Sequence, residues 1–143
     1  MNKNIVIDTN VIVSAMYSPS GNPAKILTQF FDDEIIIYYS DAILEEYKDV
    51  LSRPALKLNA EKKNNFFQIL KHTGVVITPS PSTFPMDDES DRVFYDTAKS
   101  GEAILIIGNK RHYPDESFIM SPSEYLEFIS PKEPLRPVGW SKE

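Results

Sequence analysis

Four short apolar runs rich in β-branched residues recur along the chain: Ile5-Val6-Ile7, Ile35-Ile36-Ile37-Tyr38-Tyr39, Val75-Val76-Ile77 and Ile104-Leu105-Ile106-Ile107. A run with no polar alternation reads as a strand buried on both faces. Helical spacing of apolar residues fills the intervals, at about 22–33, 41–53, 59–73 and 90–100, with another stretch near 122–129. Asp8-Thr9-Asn10, directly after the first run, reads as the cap of a further helix. Strands alternating with helices predict an α/β fold with a largely parallel central sheet of about four to five strands, wrapped by helices.

A chain of 143 residues is long enough for one core. Pro79, Pro81 and Pro85 mark an extended connection, since neither flank carries a complete core of its own. Residues 1–130 are therefore expected to form one domain. Residues 131–143, with Pro131, Pro134, Pro137 and Gly139, are expected to form a loosely held tail. The absence of cysteine excludes disulfide scaffolds, thiolate metal sites and cysteine nucleophiles. The apolar run at the N-terminus is too short for a signal peptide or a membrane span, so a cytoplasmic location is the expectation. The net charge of −6 opposes nonspecific binding to duplex phosphates. Acids gathered around a bound cation would reverse that local field.

The acids fall at telling positions. In open α/β sheets the ligand crevice lies outside the carboxyl ends of the strands, and Asp8 stands at such an end. Capping of the next helix by Asp8 or Thr9 explains the same residues equally well. In the stretch 41–53, Ile43, Leu44, Tyr47, Val50 and Leu51 make an apolar stripe. Glu46 lies about 100° from its centre and Glu45 about 160°, so Glu46 borders the core while Glu45 faces water. Asp87-Asp88-Glu89-Ser90-Asp91 sets four carboxylates before a helical run, where the helix dipole alone favours anions. Within that run Asp91 lies about 85° from the apolar face and Asp96 about 135° away. Asp8, Glu46 and Asp91 can meet at one sheet edge. Clustered carboxylates repel unless a cation neutralises them, and oxygen ligands without cysteine or a histidine cluster suit Mg²⁺ or Mn²⁺.

Four segments together carry a resemblance to the PIN-domain family, in its VapC-like branch of toxins from prokaryotic toxin–antitoxin pairs. They are Ile5 to Val11, Ser40 to Tyr47 with Val50-Leu51-Ser52-Arg53-Pro54 behind it, Asp88-x-x-Asp91-x-x-Phe94 followed by Ala98, and Ile107-Gly108-Asn109-Lys110. The resemblance spans about residues 4–130. It implies a PIN-like three-layer sandwich whose acidic pocket binds one or two Mg²⁺ or Mn²⁺ ions and cleaves RNA. Carried over by position, Asp8, Glu46 and Asp91 are the core acids and Asp88 an auxiliary. Many relatives place a further aspartate where this chain has Asn109, so one firmly held ion and a weak second are expected.

The resemblance also implies an RNA substrate, an antitoxin protein that blocks the acidic groove, and dimerisation. Thr9 and Asn10 are polar neighbours of Asp8, while Lys110, Arg111 and His112 form a basic patch placed to meet RNA phosphates. Tyr17, Tyr38, Tyr39, Tyr95 and Tyr113 are either stacking platforms for unpaired bases or packing residues. Phosphate-cradling glycine loops, serine hydrolase motifs and zinc-protease histidines are missing from the sequence. The competing readings are a PIN-fold RNA- or protein-binding regulatory module with weakened turnover, and a phosphohydrolase acting on small esters.

Overall fold

The computed structural model describes residues 3–109 and 113–130. The chain runs β1 (Asn4–Ile7), α1 (Thr9–Tyr17), α2 (Asn22–Phe31), β2 (Ile36–Tyr39), α3 (Asp41–Leu51), α4 (Ala60–Thr73) and β3 (Val75–Val76). It continues through α5 (Arg92–Gly101), β4 (Ile104–Ile106), β5 (Ile119–Met120) and α6 (Pro122–Ile129). Short 3₁₀ turns at Pro54–Leu56 and Glu89–Asp91 precede α4 and α5.

The five strands form one sheet in the order β3-β2-β1-β4-β5, and every pairing is parallel. This is the α/β architecture expected from the alternating runs, with six helices flanking the sheet. β1 sits at the centre, and Ile5, Val6 and Ile7 are all buried, which is why the run needs no polar alternation. The chain builds outward from β1 to β2 and β3, then returns to the other side of β1 for β4 and β5. That reversal opens a crevice between the carboxyl ends of β1 and β4, the switch point where open α/β sheets bind ligands.

Aromatic packing fixes α3 over β1. Tyr47 is fully buried, meets Phe66 of α4 edge to face at 5.7 Å, and donates its hydroxyl proton to the Ile7 carbonyl. Ser40 starts α3 at a fixed place by accepting the Ile43 N–H at 3.2 Å. At the far end of α4, a side chain on Gly74 would place Cβ 2.5 Å from the Leu70 carbonyl oxygen and 2.6 Å from the Tyr39 ring. Only glycine permits that approach of α4 to β2.

Two features depart from the expected pattern. β5 is a two-residue strand at Ile119–Met120, within the short apolar run Phe118-Ile119-Met120, and it pairs with β4. Asp96, expected to point outward from α5, is buried. The reason is the proline-containing segment 77–88, which lies along α5 as a strap. Arg92, Asp96 and Ser100, spaced four apart on one helix face, bind its backbone. Arg92 Nη1 donates to the Ser82 carbonyl at 3.1 Å and Nη2 to the Phe84 carbonyl at 2.6 Å. Ser82 N–H donates to Asp96 Oδ2 at 3.2 Å, and Ser80 N–H to Ser100 Oγ at 2.9 Å. Phe84 of the strap packs edge to face on Tyr95 at 4.9 Å. Among the described residues no helix is long and apolar enough to cross a membrane.

Candidate active site

At the switch point lies a cleft of about 570 Å³. Asp8, Thr9, Asn10, Glu46, Asp88, Asp91 and Asn109, named from the sequence, all line it. Lys110, Arg111 and His112, and the tail 131–143, lie outside the described residues.

Asp8 follows β1, extending the ladder by donating its N–H to the Ile106 carbonyl at 2.9 Å. Its backbone is extended, and its Oδ1 accepts the Asn10 N–H at 3.1 Å, so it does cap α1. The cap and the contact with Tyr113 use different oxygens. Asp8 Oδ2 accepts the Tyr113 hydroxyl at 3.1 Å, in a buried contact across 105 residues of sequence.

Glu46 is half-buried on α3 and Glu45 is exposed, as the helical geometry predicts. The Thr9 hydroxyl, itself buried, donates to Glu46 Oε2 at 2.5 Å. Thr9 is therefore a positioning residue for Glu46, and Asn10 contributes its backbone donor to Asp8 while its exposed side chain borders the cleft.

Asp88 and Asp91 reach the same cleft by a local device. Asp88 is exposed and caps the 3₁₀ turn, accepting the Ser90 N–H at 3.0 Å and the Ser90 hydroxyl at 2.7 Å. Asp91 closes that turn with its N–H on the Asp88 carbonyl at 3.0 Å, and its Oδ2 is buried. Arg92 anchors the turn through Glu89 at 2.7 Å as well as the strap behind it. Asn109 is exposed just beyond β4 and lines the same cleft as Asp8.

The tyrosines report how the acids combine. The Tyr113 phenol is held far above its ordinary range, first by burial, then by the charges of Asp8 and Asp91, its hydrogen bond to Asp8, and the charge of Glu46. Tyr47 is raised by burial and by Asp8 and Glu46. Three carboxylates from separate elements thus act on one hydroxyl. Tyr113 remains a neutral donor through the whole neutral range.

The donor chemistry fits a hard divalent cation: carboxylates and an amide oxygen, with no thiolate. Among the described residues no three acids stand close enough to form a ready-made ligand group. Mg²⁺ commonly takes one or two carboxylates and fills the rest of its shell with water or substrate oxygens.

Two residues, Tyr113 against Asp8 and Arg53 on the cleft wall, have roles that the local sequence pattern does not show. Tyr113 was weighed only as packing or stacking, because nothing in local periodicity shows that its hydroxyl meets Asp8. Arg53, part of the Val50–Pro54 segment, lines the cleft wall.

A central parallel sheet thus gathers acids that follow β1, sit on α3 and precede α5 into one cleft at its switch point. A family profile described as the PIN domain matches residues 4–112. The chain belongs to the PIN-domain family, whose members are generally nucleases acting on phosphodiester bonds and typically use divalent metals. It is also 36% identical over 135 residues to an uncharacterized protein of Methanocaldococcus jannaschii, covering 90% of this chain and 87% of that relative. No solved structure matches the chain significantly.

Proposed function

We propose that this protein is a Mg²⁺- or Mn²⁺-dependent endoribonuclease, acting as the toxin of a toxin–antitoxin pair, with Asp8, Glu46 and Asp91 as its catalytic acids. The observation that carries the reading is that Asp8, Glu46 and Asp91, brought by three separate elements, line one cleft at the switch point of the sheet. Asp8, Glu46 and Asp91 would hold the ion, with Asp88 as auxiliary. Bound there, the ion supplies positive charge to the phosphodiester transition state and a more acidic water. Thr9 and Tyr113 keep Glu46 and Asp8 in fixed orientations, so little reorganisation is needed when substrate arrives. A carboxylate of the cleft takes the proton of the attacking water. Asn109 orients substrate or water without adding charge. Lys110 and Arg111, next in sequence, are assigned to RNA phosphates, and an antitoxin segment would silence the enzyme by filling the acidic groove. A homodimer is the expected assembly.

The test is cleavage of single-stranded RNA by purified protein with Mn²⁺ or with EDTA, comparing wild type with Asp8→Asn, alongside calorimetric titration of Mn²⁺. Metal binding and cleavage lost together in the variant support the proposal. Intact RNA after incubation of wild type with saturating Mn²⁺ or Mg²⁺ would sink it. A second reading, a PIN-fold RNA- or protein-binding regulatory module with weakened turnover, draws on Asn109 in place of an acid and on the spacing of the acids. It expects RNA binding that is indifferent to Asp8→Asn.

A further inference from the structure

Of the five tyrosines weighed as stacking platforms, Tyr39, Tyr95 and Tyr113 are buried and Tyr38 is half-buried. Tyr17 is 51% exposed. Its position is not that of an arbitrary surface residue. On α1, Asn10, Ser14 and Tyr17 stand at spacings of four and three, which keeps them on one helix face. Asn10 and Ser14 of that face line the acidic cleft. The Tyr17 hydroxyl donates to the Leu56 carbonyl, so the ring is tied across to the 3₁₀ turn Pro54–Leu56.

The facing wall repeats the pattern. Glu46 and Val50 of α3 line the cleft, and Arg53, just past the helix end and immediately before the turn that holds Tyr17, lines it too. Two stripes therefore lead from the acids to Arg53 and Tyr17, over seven residues or about 10 Å of helix rise. Arg53 pairs with Asp49 at 2.9 Å, with both side chains more than half exposed. Such a pair is weak in water, so its guanidinium can turn to a phosphate at little cost.

We propose that Tyr17 and Arg53 form a subsite for an unpaired nucleotide strand, Tyr17 stacking on a base and Arg53 binding a phosphate beside the scissile one. The inference rests on the nuclease reading for its substrate and deepens it: an aromatic face outside the cleft accepts any exposed base and rejects bases already stacked in a duplex. The hydroxyl tie to Leu56 restrains a ring whose residue stays half exposed.

The experiment titrates a fluorescent single-stranded RNA octamer, and the same octamer in a duplex, into the protein with Ca²⁺ by anisotropy over a salt series. Cleavage kinetics with Mn²⁺ follow. Tyr17→Ala should weaken single-strand binding about tenfold, while Tyr17→Phe, which keeps the ring, retains most of it. Arg53→Gln should weaken binding and reduce the salt slope by about one. Equal affinities for wild type and Tyr17→Ala, equal binding of the duplex, or no binding of the octamer by wild type would overturn the subsite. Cleavage by wild type with KM unmoved in both variants removes the subsite and leaves the nuclease reading. Binding that depends on Tyr17 and Arg53 without cleavage does the reverse.

Discussion

The two halves of the cleft hold their acids in different ways. Asp8 and Glu46 are fixed by partners far away in sequence: Tyr113 donates to Asp8, Thr9 to Glu46, and Tyr47 ties α3 to β1. Asp88 and Asp91 are fixed by neighbours, through a 3₁₀ turn that Asp88 caps and Arg92 braces. The first half is a product of the core and the second of a local turn. A donor buried in the core keeps its geometry at low cost on each encounter with substrate, whereas an exposed turn can adjust. The comparison suggests that Asp8 and Glu46 set the reaction geometry and that the Asp88–Asp91 side adapts to substrate.

The largest expected contrast is between Asp8→Asn and Asp88→Asn. Asn can keep the cap through its one oxygen while its NH2 faces the Tyr113 hydroxyl, so Asp8→Asn should keep the fold at a modest cost in stability while removing the charge. Cleavage should fall on the order of 10²–10⁴-fold, and by only about tenfold in Asp88→Asn. Melting curves on both variants separate folding from chemistry. Equal losses in the two variants would break the division between a rigid half and an adaptable half.

A smaller effect is expected from the hydroxyls. Thr9→Val and Tyr113→Phe preserve shape and remove one donor each, and outer positioning contacts of this kind are worth about 10–100-fold in activity or metal affinity. Thr9→Ser should restore most of the lost activity because it restores the donor to Glu46. If Thr9→Ser fails while folding normally, the hydroxyl is not what positions Glu46. Tyr113→Phe should be felt most in Mn²⁺ affinity, since its hydrogen bond falls on Asp8.

The same division explains what was legible in the sequence. Strand runs and helix stripes announce themselves through period, so the sheet, the helices, the edge position of Glu46 and the exposure of Glu45 could be read directly. Asp8 could be placed because its strand ends in a crevice. Tyr113 could not, because its partner lies 105 residues away and a phenol before Pro114 carries no local sign of it. Asp96 misled for a related reason: helical geometry places it opposite the core face, and only the strap across α5 buries it. β5 is harder to read, because its run Phe118-Ile119-Met120 holds a single β-branched residue, and the pairing with β4 is what shows it to be a strand.

The strap side carries the smallest effect, one that pH exposes. Tyr95 donates its hydroxyl to Glu116, packs on Phe84 of the strap, and is raised to about 12 by burial, then by the hydrogen bond and charge of Glu116, with Asp96 adding to them. Among the described residues, Lys99 faces this pair, 3.5 Å from Glu116. A phenol whose folded pKa lies above its unfolded value of 10.0 contributes fully below pH 10, and that contribution is lost as pH rises toward about 12. Tyr113 and Tyr47, raised in the same sense, add to the alkaline decline from the other half of the cleft. Urea denaturation between pH 8 and pH 11 should show a plateau and then a fall, and Tyr95→Phe should make the fall shallower. Hydrogen exchange at Ser80 and Ser82 sharpens the point, because both amides are bonded across the strap to α5. Their exchange, corrected for the intrinsic pH dependence, should accelerate above pH 10 before the amides of β1 do. Simultaneous release of strap and β1 would mean that the strap shares the stability of the core, and the turn carrying Asp88 and Asp91 would then be as rigid as the half that holds Asp8.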